Sequence, residues 1–135
     1  PGVPGLSENI SVISIVDRFL EHSRILCFCN DGEEKVFMST ADWMPRNLDR
    51  RVELLVPIED QESKQRLLDI LDVCLRESVN GWKLRGDGTY ERLKSSAKRK
   101  AHRSQEILYS AICRSVSEER QLKRTVLEPH RPTPP

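Results

Sequence analysis

This 135-residue sequence predicts an α/β (α+β) domain, a mixed β-sheet flanked by helices, on three observations. Short β-branched or apolar runs alternate with turn residues in the first half. A single stretch after Asp60 then carries apolar residues at helical spacing. A second, smaller hairpin and another helical stretch follow it.

The first run, residues 10–16, is short and β-branched, which favours a strand. Residues 24–29 make a second strand with apolar residues on both faces, Ile25 and Cys27 against Leu26 and Phe28, the pattern of a buried central position. Asn30-Asp31-Gly32 is a turn signal and leads into a third strand at 35–40, so the two should form a hairpin. A fourth strand is expected at 52–58. Asp60 is placed to cap the next helix, in which Leu67, Leu68, Leu71, Cys74, Leu75 and Val79 recur on one side. Gly81 stands where a C-terminal cap belongs. Trp82 to Leu84, a Gly86-Asp87-Gly88 turn and Tyr90 to Leu93 read as a hairpin. Ser104 caps a last helix through Ile107, Leu108, Ala111, Ile112 and Val116, which frays over 120–128.

Composition narrows the function. Lys plus Arg is 22 and Asp plus Glu 21, a net charge of +1, which argues against wholesale nucleic-acid binding. Hydrophobic residues at 37% and charged residues at 32% fit a water-soluble protein with a modest core. There is no secretory signal and no apolar run of transmembrane length. The four cysteines include no Cys-x-x-Cys pair, and Cys27 and Cys29 are too cramped for a usual disulfide, so free thiols in a reducing cytoplasm are expected. The opening without an initiator methionine and the Pro-rich close at 129–135 are expected of a piece of a larger protein.

Two segments could bind an anion. His22 and Arg24, two apart at the start of a strand, present their side chains on the same face and at the same end. A guanidinium can hold an anion while an imidazole donates a proton to it. Ser39-Thr40-Ala41-Asp42 should meet them at one sheet edge, with hydroxyl and main-chain N–H groups able to cradle phosphate oxygens. Arg46, Arg50 and Arg51 add charge nearby, with Asp42, Asp49 and Glu53 neutralising or orienting them. Trp43, beside them, reads as a packing anchor. The basic run Lys94, Lys98, Arg99, Lys100, His102 and Arg103 reads as a solvated linker, because no aromatic residues are interleaved with it.

Three ordered blocks carry a resemblance to a known family. Residues 1–10, 14–24 and 41–53, the last running Ala41-Asp42-Trp43-Met44-Pro45-Arg46-Asn47-Leu48-Asp49-Arg50-Arg51-Val52-Glu53, closely resemble the carboxy-terminal region of bacterial polyphosphate kinase. The resemblance is strong to about residue 58 and weaker through the helix, the second hairpin and Ser104-Gln105-Glu106. It implies a phospholipase D-like fold, truncated here at its N-terminal side, with a partial catalytic domain over 1–103, its C-terminal helix over 104–128 and a tail over 129–135. It implies ATP-dependent, reversible phosphate transfer to inorganic polyphosphate through a phosphohistidine, with magnesium. His22 then matches the family's second active-site histidine, which contacts nucleotide phosphates, and Arg24 lies beside it. Partners implied are ATP or ADP, polyphosphate, the upstream catalytic domain of the same chain, and further copies in a homo-oligomer with peripheral membrane association, but no nucleic acid.

Where the sequence departs from the family pattern, the departures bear on activity. The phosphohistidine and the arginines that hold magnesium and phosphate belong upstream of this sequence. The arginine that normally precedes the Pro-Gly loop is missing as well, and Ser39-Thr40 stands in place of Gly-Ser. This piece alone is therefore expected to be inactive. The rival readings are a phosphodiesterase of the phospholipase D type, with His22 as nucleophile, and a non-catalytic polyanion-binding remnant.

Overall fold

The computed structural model describes residues 1–93 and 101–121. Six strands and three helices run in the order β1 (Ile13–Ile15), β2 (Ile25–Phe28), β3 (Lys35–Ser39), α1 (Pro45–Arg50), β4 (Leu55–Pro57), α2 (Gln61–Leu75), β5 (Gly81–Leu84), β6 (Tyr90–Arg92) and α3 (Ser104–Gln121). The α/β class holds. Among the described residues, however, the strands form two separate three-stranded sheets, β1-β5-β6 and β2-β3-β4, and every pairing is antiparallel.

The expected hairpin is present, with Leu26 opposite Phe37 and Cys27 opposite Val36. Its turn is a single 3-10 turn in which Asn30, Asp31 and Gly32 all take positive φ, the conformation these residue types tolerate best. The central strand is β3, not β2. No described strand covers the outer edge of β2, which leaves Cys27 and Phe28 exposed, and its doubly apolar pattern therefore does not mark a buried position here. Phe28 meets Phe37 edge to face, with ring centroids 5.8 Å apart. The outer strands are shorter than expected, at three residues each for β1 and β4.

Asp60 caps α2 as expected, its Oδ2 accepting from the Ser63 N–H at 2.8 Å. The helix stops at Leu75, earlier than the apolar spacing suggested, and Val79 lies beyond it. Gly81 is consequently no helix cap; it opens β5. A Cβ there would lie 2.8 Å from Leu93 Cδ1 and 3.2 Å from Glu77 Cγ, so glycine permits a close approach. The turn after α2 is organised by Glu77, whose Oε1 accepts from the Val79 N–H at 2.7 Å and the Asn80 N–H at 3.0 Å. Its Oε2 accepts from the Ser104 N–H and from the Ser104 hydroxyl, both at 2.7 Å. Ser104 is thus the first residue of α3, and Glu77 does the capping that Ser104 was expected to do.

Val36 is the single buried hydrophobic residue among those described, whereas Asn47, Glu77, Ser104 and Gln105 are buried polar groups. A hydrogen-bonded network, more than hydrocarbon, ties the centre of this chain together. The stretches 94–100 and 122–135, which contain most of the basic run, most of the expected fraying and the Pro-rich tail, lie outside the described residues.

Candidate functional site

His22 sits in the segment joining β1 to β2, and Arg24 comes directly before β2. The Arg24 carbonyl accepts from the N–H of Ser39, the last residue of β3, at 2.9 Å, carrying the hairpin ladder one step past the start of β2. That step sets the two expected segments side by side. Arg24 Nε donates to Asp42 Oδ1 at 2.6 Å, and Arg24 Nη2 lies 2.9 Å from His22 Nε2. A guanidinium has no acceptor, so the imidazole nitrogen accepts, which places the His22 proton on Nδ1. The Arg24 hydrogen bond is the main cause that holds the Asp42 carboxyl below its usual range, and Asn47 lowers it further. Asp42 in turn raises Arg24.

The loop after β3 is tied down from the other side. Thr40 Oγ1 donates to Glu53 Oε2 at 2.5 Å and accepts from the Leu54 N–H at 2.9 Å, while the Thr40 N–H donates to the Leu54 carbonyl at 3.1 Å. Ser39 Oγ accepts from the Ala41 N–H at 3.1 Å. The Ser39-Thr40 hydroxyls are thus both engaged within the protein.

The arginine-bearing stretch after Trp43 forms α1, with Pro45 at its first turn, where the missing N–H costs no hydrogen bond. Trp43 is 85% exposed and packs nothing, which corrects its reading as an anchor; the chain turns into α1 there and leaves the indole outside. Arg46, Arg50 and Arg51 are all exposed. Arg51 pairs with Glu53 at 3.5 Å, and no ion pair or hydrogen bond among the described residues joins any of the three to His22, Arg24 or Asp42. Asn47 does approach the site. It is 2% exposed, it helps hold the Asp42 carboxyl below its usual range, and its Oδ1 has no partner among the described residues. Its place beside Pro45 at a helix start was the available signal.

His102 and Arg103 are not part of a solvated linker. His102 Nε2 lies 3.0 Å from the Val73 carbonyl, and Arg103 grips Asp17 with two bonds, Nε to Oδ2 at 2.9 Å and Nη2 to Oδ1 at 2.7 Å. The partner carboxylate is 86 residues upstream, beyond the reach of local charge patterning. Among the described residues no cluster of three His, Cys, Asp or Glu side chains could hold a metal ion. Nor is any helix among them long and apolar enough to cross a membrane. All four cysteines are free thiols.

Fold and site together define an α/β domain that brings an imidazole, a guanidinium and a carboxylate to one end of a β-hairpin. The chain belongs to the polyphosphate kinase family, matching the polyphosphate kinase C-terminal domain 2 over residues 1–105. It is 47% identical over 132 residues to the polyphosphate kinase of Rhodopirellula baltica, covering 98% of this chain and 16% of that one. It is 50% identical over 95 residues to that of Dictyostelium discoideum, covering 70% and 9%. The crystal structure of polyphosphate kinase from Porphyromonas gingivalis superposes with a TM-score of 0.76 at 36% identity, over 86% of this chain and 18% of that chain. The chain thus spans less than a fifth of the length of these relatives.

Proposed function

We propose that this chain contributes the His22–Arg24–Asp42 corner to a polyphosphate kinase that moves the terminal phosphate of ATP reversibly onto inorganic polyphosphate, releasing ADP. The observation that carries the reading is the hydrogen-bonded line from Asp42 through Arg24 to His22 in a chain of this family. Asp42 fixes the guanidinium through Nε and leaves its other N–H groups to point at an anion. A phosphate oxygen is a stronger acceptor than a neutral imidazole, so an arriving phosphate takes the Arg24 N–H that His22 Nε2 held. The freed imidazole takes up a proton and donates it to the oxygen that leaves as the phosphorus–oxygen bond breaks.

The phosphoryl group passes to a histidine upstream of this chain, forming a phosphorus–nitrogen bond there, and then to the polymer. The same reading puts the magnesium ligands in the upstream part of the enzyme, and no step here runs through the ion. Arg46, Arg50 and Arg51 act as electrostatic support for the polyanion, without contact to the reacting phosphate. The same reading takes residues 1–103 and 104–128 together as one partial domain of a cytoplasmic homo-oligomer with peripheral membrane association.

The test is His22→Ala in the intact enzyme, with folding checked. ATP-dependent polymer synthesis should fall by about 100-fold or more, the usual loss on removing a general acid. Near-normal synthesis would remove His22 from the site. Cleavage of a phosphodiester without nucleotide-dependent polymer would favour the phospholipase D-type alternative.

A further inference from the structure

The segment that carries His22 has no regular structure between Val16 and Arg24. Its ends are held by Asn80 at Val16 and by Ser39 and Asp42 at Arg24, whereas residues 17–21 are held by two side chains at the start of α3, Arg103 and Gln105. Arg103 grips Asp17 with both prongs of its guanidinium. The Gln105 side-chain amide takes both main-chain groups of Phe19, Oε1 accepting from the N–H and Nε2 donating to the carbonyl, each at 2.8 Å. The same Nε2 donates to Glu21 Oε1 at 2.7 Å, and Glu21 is the residue before His22.

These partners are built in, not loosely placed. Gln105 is 5% exposed, and the Asp17 side chain is 3% exposed. The Arg103 hydrogen bond is the main cause that pulls the Asp17 carboxyl far below the carboxylate range. Ser104, between the two clamping residues, is itself fully buried and locked to Glu77. A side-chain amide carries one donor face and one acceptor, as a peptide group does, so Gln105 serves Phe19 as a one-residue strand partner.

We infer that Arg103 and Gln105 are positioning residues for the phosphoryl-transfer site, holding the 17–21 segment so that the His22 imidazole stands against Arg24. The inference rests on the reading of His22 given above. It extends that site to two side chains that touch neither substrate nor His22. Displacing a catalytic group by about 1 Å can cost about 100-fold in rate, and no other polar contact among the described residues ties 17–21 to a helix.

The experiment uses full-length polyphosphate kinase carrying this chain, with Gln105→Ala, His22→Ala and the double variant, assayed for ATP-dependent polymer synthesis. Gln105→Ala should lower kcat by about 10- to 100-fold while the KM for ATP moves less than about threefold. The double variant should be no slower than His22→Ala alone, because a positioning residue has nothing left to position. A lowered melting temperature with unchanged kcat, or a loss that adds fully to that of His22→Ala, overturns the inference. If His22→Ala itself is fully active, the underlying reading fails instead. Should Gln105→Ala not fold, Arg103→Lys carries the test: it keeps the charge, loses the two-pronged grip and should show the same kcat loss. Unchanged kcat there rejects the clamp.

Discussion

Asp42 works by fixing Arg24, and its carboxylate must be ionised to do so. Because its folded pKa is depressed, the interaction is complete above the ordinary Asp range and is lost as pH falls through the lowered value. Asp42→Asn keeps the shape but weakens the hold on Nε to that of a neutral acceptor. In the intact enzyme it should reduce kcat/KM for ATP by about 10-fold, in line with losing a charge-assisted bond of about 1.5–3 kcal/mol strength. Steady-state assays at neutral pH check this, and an unchanged kcat/KM would show that Arg24 is held by other means. Asn47, whose Oδ1 lacks a partner among the described residues, is the neighbour to vary next.

Glu77 is the carboxylate at the joint between α2 and α3, where Ser78 and Val73 also bond His102. Burial pushes the Glu77 carboxyl up, but hydrogen bonds from Asn80, Ser104 and Val79 outweigh it and hold the group below its usual range. Stability from this joint is therefore fully present above about pH 4.3, the ordinary Glu value, and drains away as acid takes the group through its lowered pKa. Glu77→Ala orphans four donors, two of them on a residue that is completely buried, and should cost about 3 kcal/mol or more. Denaturant unfolding of the intact enzyme measures it; a loss under about 1 kcal/mol would mean that water replaces the carboxylate.

Elements also differ in how openly the sequence declares them. Asn30-Asp31-Gly32 and Asp60 announce themselves because turn and cap chemistry is local. The helix α1 is less open: its arginines read as a cluster of charge, although Pro45 marks its first turn. The end of α2 was misplaced because Glu77, a residue that helices accept, here turns its side chain back on the chain that follows.

Taken whole, the described chain leaves a large apolar surface uncovered: Leu20, Val52 and Leu6 are each more than 80% exposed, and Trp43 with them. Hydrophobic burial drives folding, and a single buried valine supplies little of it. Residues 1–135 produced alone should bind a hydrophobic dye strongly and unfold at low temperature without a sharp transition. A sharp, high-temperature transition with no dye binding would show that the piece is self-sufficient. The His22–Arg24–Asp42 corner was legible in advance because strand alternation and a hairpin register bring those residues together. The Arg103 and Gln105 contacts were not, since they join positions 86 residues apart and no periodicity links such positions. The three arginines of the 46–51 stretch stand exposed on α1 and just after it, a placement that local charge density alone does not specify.

The contact between Phe19 and Gln105 has a consequence for how the protein is made. Ribosomes deliver the N-terminal end first, and a contact that closes so long a loop cannot form before its far end exists. A nascent chain halted at residue 100 already possesses the histidine, the arginine and the aspartate, yet lacks the two side chains that fasten residues 17–21. Completion of this corner is deferred until the opening turn of α3 has left the exit tunnel, so truncated products would emerge with their chemistry unassembled.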